Sequence, residues 1–328
     1  MQVGSYCYLT EEEWEDRIAR FDAIVRSCTL CPRNCHVDRI DGECGYCEAP
    51  AEMVISSIFA HHGEEPPISG SGGSGTVFFS YCTLQCCFCQ NYQISHEAEG
   101  RPYSPEELAK KMVSLQKQGC HNINLVTGTH FLPWILRALH YAVRKGLTIP
   151  IVYNCGGYEH ASTIALLDGI VDIYLPDMKY GDNRAASRYS RTANYRSFNR
   201  ASLREMFRQV GPLKMDREGI AFRGVCIRHL MLPDNMAASE KILKFLVTVF
   251  DPTDIYISLM AQYRPLYHAE EFPEINRKIS KTEYERVKSA FVDAGFPGFY
   301  QELSAINSAF VIDFKKRKEQ ALTGEEEA

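Results

Sequence analysis

The chain has 328 residues, an ordinary globular composition and a net charge of −5, from 36 Lys and Arg residues against 41 Asp and Glu residues. This length suits one large α/β domain or a barrel with a small appendage. The negative charge argues against a general nucleic-acid binder, because it offers no basic field for phosphates. No apolar run reaches the roughly 18 residues of a membrane helix, and the segment MQVGSYCYLTEEEWEDR lacks a signal pattern. We therefore expect a cytoplasmic protein without membrane or nucleic-acid partners, whose clustered cysteines are metal ligands or catalysts.

The first part of the chain predicts one helix and one cysteine-rich segment. Residues 11–26 predict a helix, since Trp14, Phe21 and Val25 recur at helical spacing. Five cysteines follow in residues 28–47, which have almost no periodic apolar pattern. The stretch HHGEEPPISGSGGSG then predicts a loop, either a plain linker or one whose glycines let the backbone approach a ligand closely.

From residue 75 onwards, short apolar strands alternate with amphipathic helices. The predicted strands are 75–82, 122–128, 149–154, 171–177, 221–232 and 254–260. The predicted helices are 104–119, 131–146, 161–169, 198–210, 238–250 and 281–294. This alternation predicts an α/β fold with a parallel sheet, either open or closed into a full or partial (β/α) barrel.

We divide the chain into four segments on these patterns. They are a helix and cysteine-rich metal-binding segment (1–60), a Gly/Ser/Pro-rich loop (61–74), the α/β barrel (75–300) and a C-terminal extension with a charged tail (301–328).

Cys82, Cys86 and Cys89 have the spacing C-x3-C-x2-C and directly follow the first barrel strand. The same spacing would place three residues on one face of a helix, but a strand runs into Cys82 and the segment is not otherwise helix-like. In parallel α/β folds, active sites lie at the C-terminal ends of the strands. The pattern thus predicts a metal or catalytic centre, with structural or zinc-only use as the alternative.

The C-x3-C-x-aromatic-C loop resembles that of the radical S-adenosylmethionine (SAM) superfamily. The resemblance implies a [4Fe–4S] cluster held by Cys82, Cys86 and Cys89, with the amino and carboxylate groups of SAM on the fourth iron. It further implies reductive cleavage of SAM to methionine and a 5′-deoxyadenosyl radical that abstracts hydrogen, with electrons from a flavodoxin or ferredoxin type of donor. By the same resemblance, Phe88 lies against the adenine and Cys87 is not a ligand.

Further stretches resemble the PflX-like branch, which is related to the activating enzyme of pyruvate formate-lyase. These are EEPPISGSGGSGTVFFSYCTLQCCFCQNYQIS, NINLVTGTH, IPIVYNCGGYE, GIVDIYLPDMKY and YRPLY, spread over roughly residues 28–295. The resemblance implies an oxidoreductase that takes hydrogen from a glycine of a partner glycyl-radical enzyme. The alternatives are radical modification of a small molecule or peptide, and a non-enzymatic iron–sulfur electron carrier.

The resemblance also assigns roles to single positions. It implies catalytic residues at Asp177 and Lys179, in a DMK stretch like the DLK strand of glycyl-radical activases. It implies cofactor contacts at Thr127, Gly128, Thr129 and Arg228, and Asn154 is a candidate pocket residue at a strand end. Residues 127–130 stand where the superfamily has a GGE-like turn, but they include no acidic residue. The alternatives are an exposed Asp177–Lys179 ion pair and a surface charge at Arg228.

The five N-terminal cysteines allow two four-ligand sets. Cys28, Cys31, Cys44 and Cys47 form the C-x2-C…C-x2-C pattern of a zinc knuckle. The PflX-like branch instead implies Cys28, Cys31, Cys35 and Cys47. Four thiolates suit zinc or an auxiliary [4Fe–4S] cluster, so the identity of this second metal stays open.

Overall fold

The computed structural model describes residues 3–303 and 312–316. The ten α-helices of the described residues are α1 (Glu11–Val25), α2 (Pro66–Ser69), α3 (Tyr92–Ser95), α4 (Pro105–Lys117), α5 (Leu132–Val143), α6 (Ala161–Ala165), α7 (Asn183–Ser190), α8 (Tyr195–Val210), α9 (Ser239–Val249) and α10 (Lys281–Asp293). The ten strands of the same residues are β1 (Met53–His61), β2 (Ser74–Phe79), β3 (Arg101–Tyr103), β4 (Ile123–Val126), β5 (Ile151–Cys155), β6 (Ile173–Pro176), β7 (Lys214–Met215), β8 (Ala221–Leu230), β9 (Tyr256–Met260) and β10 (Gly298–Tyr300).

The strands form one sheet in the order β10-β9-β8-β6-β5-β4-β2-β1-β3, with β7 paired to β8. The pairs from β2 through β10 along this order are parallel, while β1 is antiparallel to both β2 and β3. This confirms the predicted α/β fold with a parallel sheet. Within the described residues the path has two ends, β3 and β10, so the sheet is not closed into a full barrel.

The predicted helices cover one face of the sheet. In α4, Ser104 and Glu107 form a reciprocal capping box, which satisfies two backbone donors at the helix start. Leu108 and Met112 from the same helix are fully buried in the large core, and α4 packs against α5. None of the helices in residues 3–303 and 312–316 is long and apolar enough to cross a membrane.

The loop after β1 fills the opposite face of the sheet. Strand side chains alternate between faces, so Val152 shares a face with Asn154 and Cys226 shares a face with Arg228. Ile68 in α2 packs with Val152 and Cys226 in a separate buried cluster. At the same end of the sheet, the Gly73 carbonyl accepts from His121, just before β4 begins. We call residues 62–73 the plug, because they close the sheet interior at the amino-terminal ends of its parallel strands.

Several elements differ from the sequence prediction. β1, β3, β10 and α7 are not among the predicted elements, and the presumed linker contains α2. β1 pairs with β2, although five of its nine residues are only partly buried, and this weakens the apolar pattern that predicts strands.

Gly72 is required by packing within the protein, since a Cβ there would lie 2.1 Å from the Gly119 carbonyl oxygen. The four-segment division stays a prediction, and most of its charged tail lies outside the described residues.

Candidate functional site

A cavity of about 440 Å³ extends from the loop after β2 to the plug. Nearly all the site residues expected from the barrel line it: Cys82, Cys86, Phe88, Cys89, Thr127, Thr129, Asn154, Asp177, Lys179 and Arg228. Their shared position follows from the parallel sheet, which brings the C-terminal ends of β2, β4, β5, β6 and β8 to one edge.

The three cysteines of the C-x3-C-x2-C motif face this cavity, whereas Cys87 is not among its described lining residues. The backbone of Cys87 is instead held from the other side. Its N–H donates to the Tyr189 carbonyl at 2.9 Å, and its carbonyl accepts from His268 at 2.9 Å. The geometry thus separates Cys87 from the other three cysteines, and its implied role as a non-ligand stays a prediction.

Three cysteines that face one cavity supply the thiolates that a [4Fe–4S] cluster uses, so the residues present fit such a group. Within the described residues, no group of three or more His, Cys, Asp or Glu side chains is arranged to hold one metal ion. Burial and the Cys86 thiol raise the pKa of Cys82 to about 12 and that of Cys89 to about 11. Binding a cluster as thiolates would therefore release protons.

Phe88 lies between the cavity and a wall of tyrosines. Its ring is buried and makes edge-to-face contacts with Tyr180, Tyr189 and Tyr263, at centroid distances of 6.3, 6.2 and 5.7 Å. Such contacts fix the ring orientation. Its implied contact with an adenine stays a prediction.

Asp177 and Lys179 form a buried ion pair rather than an exposed one. Lys179 Nζ lies 2.5 Å from Asp177 Oδ2, and the side chains are 20% and 11% exposed, respectively. Although burial opposes it, the charges of Lys179 and Arg228 hold the pKa of Asp177 below its ordinary value. Asp177 therefore stays ionised as part of a fixed charge network in the cavity.

Arg228 is the centre of that network and not a surface charge. Its Nε lies 3.3 Å from Asp177 Oδ1 and 3.7 Å from Glu65 Oε1, and its Nη1 lies 3.5 Å from Glu64 Oε2. Asn154 Oδ1 is also 3.5 Å from Nη1. The implied contact of Arg228 with SAM stays a prediction, since its guanidinium already faces three carboxylates.

Glu64 and Glu65 are cavity residues that were not predicted from the sequence. Both come from the plug and line the cavity. Burial and the charge of Glu65 raise the pKa of Glu64 to about 7, against the influence of Arg228. The available signal was a pair of glutamates in a stretch otherwise rich in small residues, which composition alone assigns to a solvated loop.

The turn at residues 127–129 is shaped by the protein core. Thr127 has a left-handed φ of 58° and donates its N–H to the Asn154 carbonyl at 2.8 Å. Gly128 does not line the cavity; a Cβ there would lie 2.7 Å from Ile135 Cδ1, so its small size serves packing. Its expected cofactor contact could involve only its backbone. Thr129 donates to Glu159 at 2.9 Å behind the cavity wall.

Two histidines near the site have structural partners. His130 is buried, its Nε2 lies 2.7 Å from the Ser80 carbonyl oxygen, and burial lowers its pKa to about 3. His229 lies between the Met178 carbonyl and the Ser239 hydroxyl, and burial lowers its pKa to about 4. Both rings are therefore neutral near pH 7, and each makes a hydrogen bond within the fold, although His130 Nδ1 is buried without a partner among the described residues.

Four of the five N-terminal cysteines surround a second, smaller cavity. Its lining includes Cys28, Cys31, Cys35, Cys47 and Thr83, while Cys44 is exposed and absent from the described lining. The geometry thus favours the ligand set with Cys35 over the zinc-knuckle set with Cys44.

Arg33 fastens this N-terminal segment to the cysteine loop of the barrel. Its guanidinium donates to the carbonyls of Thr83 at 3.0 Å, Ser190 at 2.9 Å and Arg191 at 2.7 Å. Thr83 lines both cavities, so the two sets of thiols lie on either side of one stretch of backbone.

The buried Glu159 predicts a pH dependence of stability. Burial raises its pKa from an ordinary value of 4.5 to about 8. Between these values the unfolded chain has released the proton while the folded chain keeps it, so the free energy of unfolding falls as pH rises, by at most about 1.4 kcal/mol per pH unit. Glu159→Gln should remove this contribution in denaturant titrations from pH 5 to 8. The exposed Glu285→Gln should keep the wild-type slope; equal slopes in wild type and Glu159→Gln would contradict the assignment.

The comparisons with known proteins agree with this site. A family model described as the radical SAM superfamily matches residues 76–246, which include the cysteine loop. Uncharacterized protein MJ0674 of Methanocaldococcus jannaschii is 34% identical over 273 residues, covering 80% of this chain and 73% of that protein.

Two solved structures are similar at low identity. Methylornithine synthase (PylB) is 12% identical with a TM-score of 0.44, over 91% of this chain and 75% of that one. HydG, a maturase of the [FeFe]-hydrogenase, is 11% identical with a TM-score of 0.43, over 66% of this chain and 54% of that one. At these scores the structural likeness carries no argument, and the assignment rests on the family match. The chain belongs to the radical SAM superfamily.

Proposed function

We propose that this chain is a radical SAM enzyme that takes a hydrogen atom from a small molecule. The observation that carries the proposal is the convergence of Cys82, Cys86 and Cys89 on one cavity at the strand ends. When bound there, a reduced [4Fe–4S] cluster supplies the electron that cleaves SAM to methionine and a 5′-deoxyadenosyl radical. The chain's own residues hold the cluster, shield the cavity and place the hydrogen donor.

The walls of the cavity favour a small-molecule donor. The plug closes the amino-terminal end, and Phe299 and Ile312 line the cavity from the last strand and the C-terminal segment. Phe314 anchors that segment by packing with Phe78 and Ile94. A volume of about 440 Å³ lies in the range of small-molecule sites.

Activation of a glycyl-radical enzyme is the second candidate. It is supported by the DMK stretch and by Arg228, because Asp177, Lys179 and Arg228 meet in the cavity instead of pointing to solvent. A glycine-bearing loop of the partner would then have to enter this cavity. The appearance of a glycyl radical signal in a candidate partner would favour this function over a small-molecule donor.

Two hydroxyl groups support the cluster ligands directly. Ser190 Oγ donates to Cys86 Sγ at 3.0 Å, and Ser95 Oγ donates to Cys89 Sγ at 3.1 Å. Tyr180 holds the Ser190 hydroxyl in place at 2.6 Å. Hydrogen bonds to cluster sulfurs stabilise the more negative, reduced state.

The N-terminal thiols are proposed to hold an auxiliary [4Fe–4S] cluster on the route from an external electron donor. Like the barrel cysteines, they surround a cavity, and four thiolates are the usual donor set of such a cluster. Arg33 and Thr83 place them directly behind the barrel cysteine loop. A flavodoxin or ferredoxin type of donor in the cytoplasm would suit this arrangement.

The central prediction concerns SAM cleavage. Anaerobically reconstituted and reduced wild-type protein should convert excess SAM to 5′-deoxyadenosine and methionine. The triple variant Cys82→Ala, Cys86→Ala, Cys89→Ala should form neither, whereas Cys87→Ala should match wild type because Cys87 is not among the described residues that line the cavity. Chromatographic quantification of both products tests this. Wild-type protein with a full cluster and no 5′-deoxyadenosine would overturn the proposed function.

The second prediction concerns the reduction potential. Ser190→Ala and Ser95→Ala should each lower the midpoint potential of the cluster, because each removes a donor that favours the reduced state. A difference of about 1 kcal/mol between the two oxidation states corresponds to about 40 mV for one electron. Redox titration followed by electron paramagnetic resonance measures the shift. Ser187→Ala, which removes a hydroxyl that contacts the Thr192 carbonyl instead of a thiol, is the control; an unchanged potential in both test variants would contradict the assignment.

The third prediction separates the two N-terminal ligand sets. Cys35→Ser should lower the iron content by about four irons per chain, the content of one cluster. The exposed Cys44→Ser should retain the wild-type content. Elemental analysis of iron and zinc in these variants distinguishes the two N-terminal ligand sets and shows which metal they hold. Loss of zinc instead of iron in Cys35→Ser would show a structural zinc site, and loss of metal in Cys44→Ser would restore the zinc-knuckle set.

A further inference from the structure

The plug presents an unsatisfied carboxylate to the cavity. Glu65 is 6% exposed and lines the cavity, yet its Oε2 has no hydrogen-bond partner within the described residues. Its other oxygen is 3.7 Å from Arg228 Nε, beyond hydrogen-bond distance. A buried carboxylate oxygen without a donor is costly, so this arrangement calls for a donor that enters from the cavity.

The charges around Glu65 do not balance. Histidines aside, the described residues lining the cavity include three acids, Glu64, Glu65 and Asp177, and two basic residues, Lys179 and Arg228. Lys179 is committed to Asp177, and Arg228 is shared among all three carboxylates. Without a ligand this imbalance is offset by a proton on Glu64, whose pKa is raised to about 7. With both glutamates ionised, one excess negative charge remains in a largely buried space. A cation bound next to Glu65 would neutralise it.

The backbone of Glu65 and the carboxylate of Glu64 are held in place before any ligand arrives. The Glu65 carbonyl accepts from the backbone N–H groups of Ile68 and Ser69, at 2.8 and 3.0 Å, and Ile68 is anchored in the sheet interior. Glu64 donates its N–H to the Ser69 hydroxyl at 3.0 Å and accepts from Asn124 Nδ2 at 3.1 Å. Such fixed acceptors bind a complementary donor without a further ordering cost.

We propose that Glu65, with Glu64 beside it, binds a positively charged nitrogen of the hydrogen donor, an ammonium or guanidinium group. This inference rests on the proposed function and names its substrate class: a small organic cation. The cation would sit at the plug end of the cavity, while the three cysteines enter from the C-terminal end of β2. Its nitrogen would donate to the free Glu65 oxygen, and its carbon skeleton would extend towards the cysteine loop.

The test compares metabolite fractions that differ in charge, so the hydrogen donor need not be identified beforehand. A metabolite extract from cells grown in deuterated medium is separated by ion exchange into cationic, neutral and anionic fractions. Each fraction is added to reduced holoenzyme with unlabelled SAM, and the 5′-deoxyadenosine is analysed by mass spectrometry. With the cationic fraction we expect 5′-deoxyadenosine that carries one added deuterium, which marks transfer from a donor to unlabelled SAM. Labelled SAM carried over in that fraction would instead give multiply deuterated 5′-deoxyadenosine. Glu65→Gln should lower that transfer by about tenfold or more, because it removes a charge-assisted hydrogen bond in a buried site.

Matched variants separate recognition from folding and from SAM cleavage. The exposed Glu52→Gln should transfer deuterium as wild type does. Glu65→Asp, which keeps the charge, should retain more deuterium transfer than Glu65→Gln. Glu64→Gln should lose part of the wild-type transfer. If Glu65→Gln loads no iron, these two variants, each compared with wild type, test the inference in its place. All variants should still form unlabelled 5′-deoxyadenosine if the carboxylates bind the donor and not SAM.

Four outcomes overturn the inference. They are transfer from the neutral or anionic fraction in place of the cationic one, undiminished transfer in Glu65→Gln, loss of SAM cleavage itself in an iron-loaded Glu65→Gln, and unlabelled 5′-deoxyadenosine with every fraction. All four leave the radical chemistry intact in wild type. Absence of 5′-deoxyadenosine from iron-loaded wild type would instead overturn the proposed function, and the inference with it.

Discussion

The contacts of Arg228 with three carboxylates hold together the inner face of the sheet. They join β8 to the residue that follows β6 and to the plug, which lies 164 positions away from Arg228 in the sequence. Removing one partner of such a buried network leaves the others uncompensated, which usually costs far more than the network contributes as a whole. The shape of the cavity floor therefore depends on a charge arrangement, while the apolar cluster around Ile68 fixes the plug beneath it.

Arg33, a second cationic side chain, holds the backbone around the barrel cysteine loop at the opposite end of the cavity. It satisfies the backbone carbonyls of two residues that adjoin different barrel cysteines, because Thr83 follows Cys82 and the Ser190 hydroxyl contacts Cys86. Stacking of its guanidinium 3.5 Å from the Tyr46 ring centre adds a contact within the N-terminal segment. The cysteine-rich segment thus helps to hold the barrel cysteine loop in place.

The parts that could be predicted from sequence are those set by local pattern. Alternating strands and helices indicated the parallel sheet, and the cysteine spacing after β2 indicated the cavity residues. The parts that could not be predicted depend on contacts distant in sequence. Strand β1 has a mixed exposure pattern, which hides its strand character in the sequence. The small size of Gly128 is required by Phe79 and Ile135, which are distant from it in the sequence or in the next helix. The plug resembles a linker in composition, because the sequence does not show the backbone against which its glycines pack.

The two ends of the cavity therefore differ in what they determine and in how well the sequence predicts them. The cysteine end follows a superfamily motif and specifies how a radical would be made, which a short spacing rule can reveal. The plug end is formed by adjacent glutamates that no spacing rule singles out, and it decides which group can be bound opposite that radical. Because a hydrogen donor must present one particular carbon to the radical, an anchoring charge at the far end selects both the substrate and the position attacked. For this chain the substrate question is thus a question about Glu64 and Glu65 rather than about the cysteine loop.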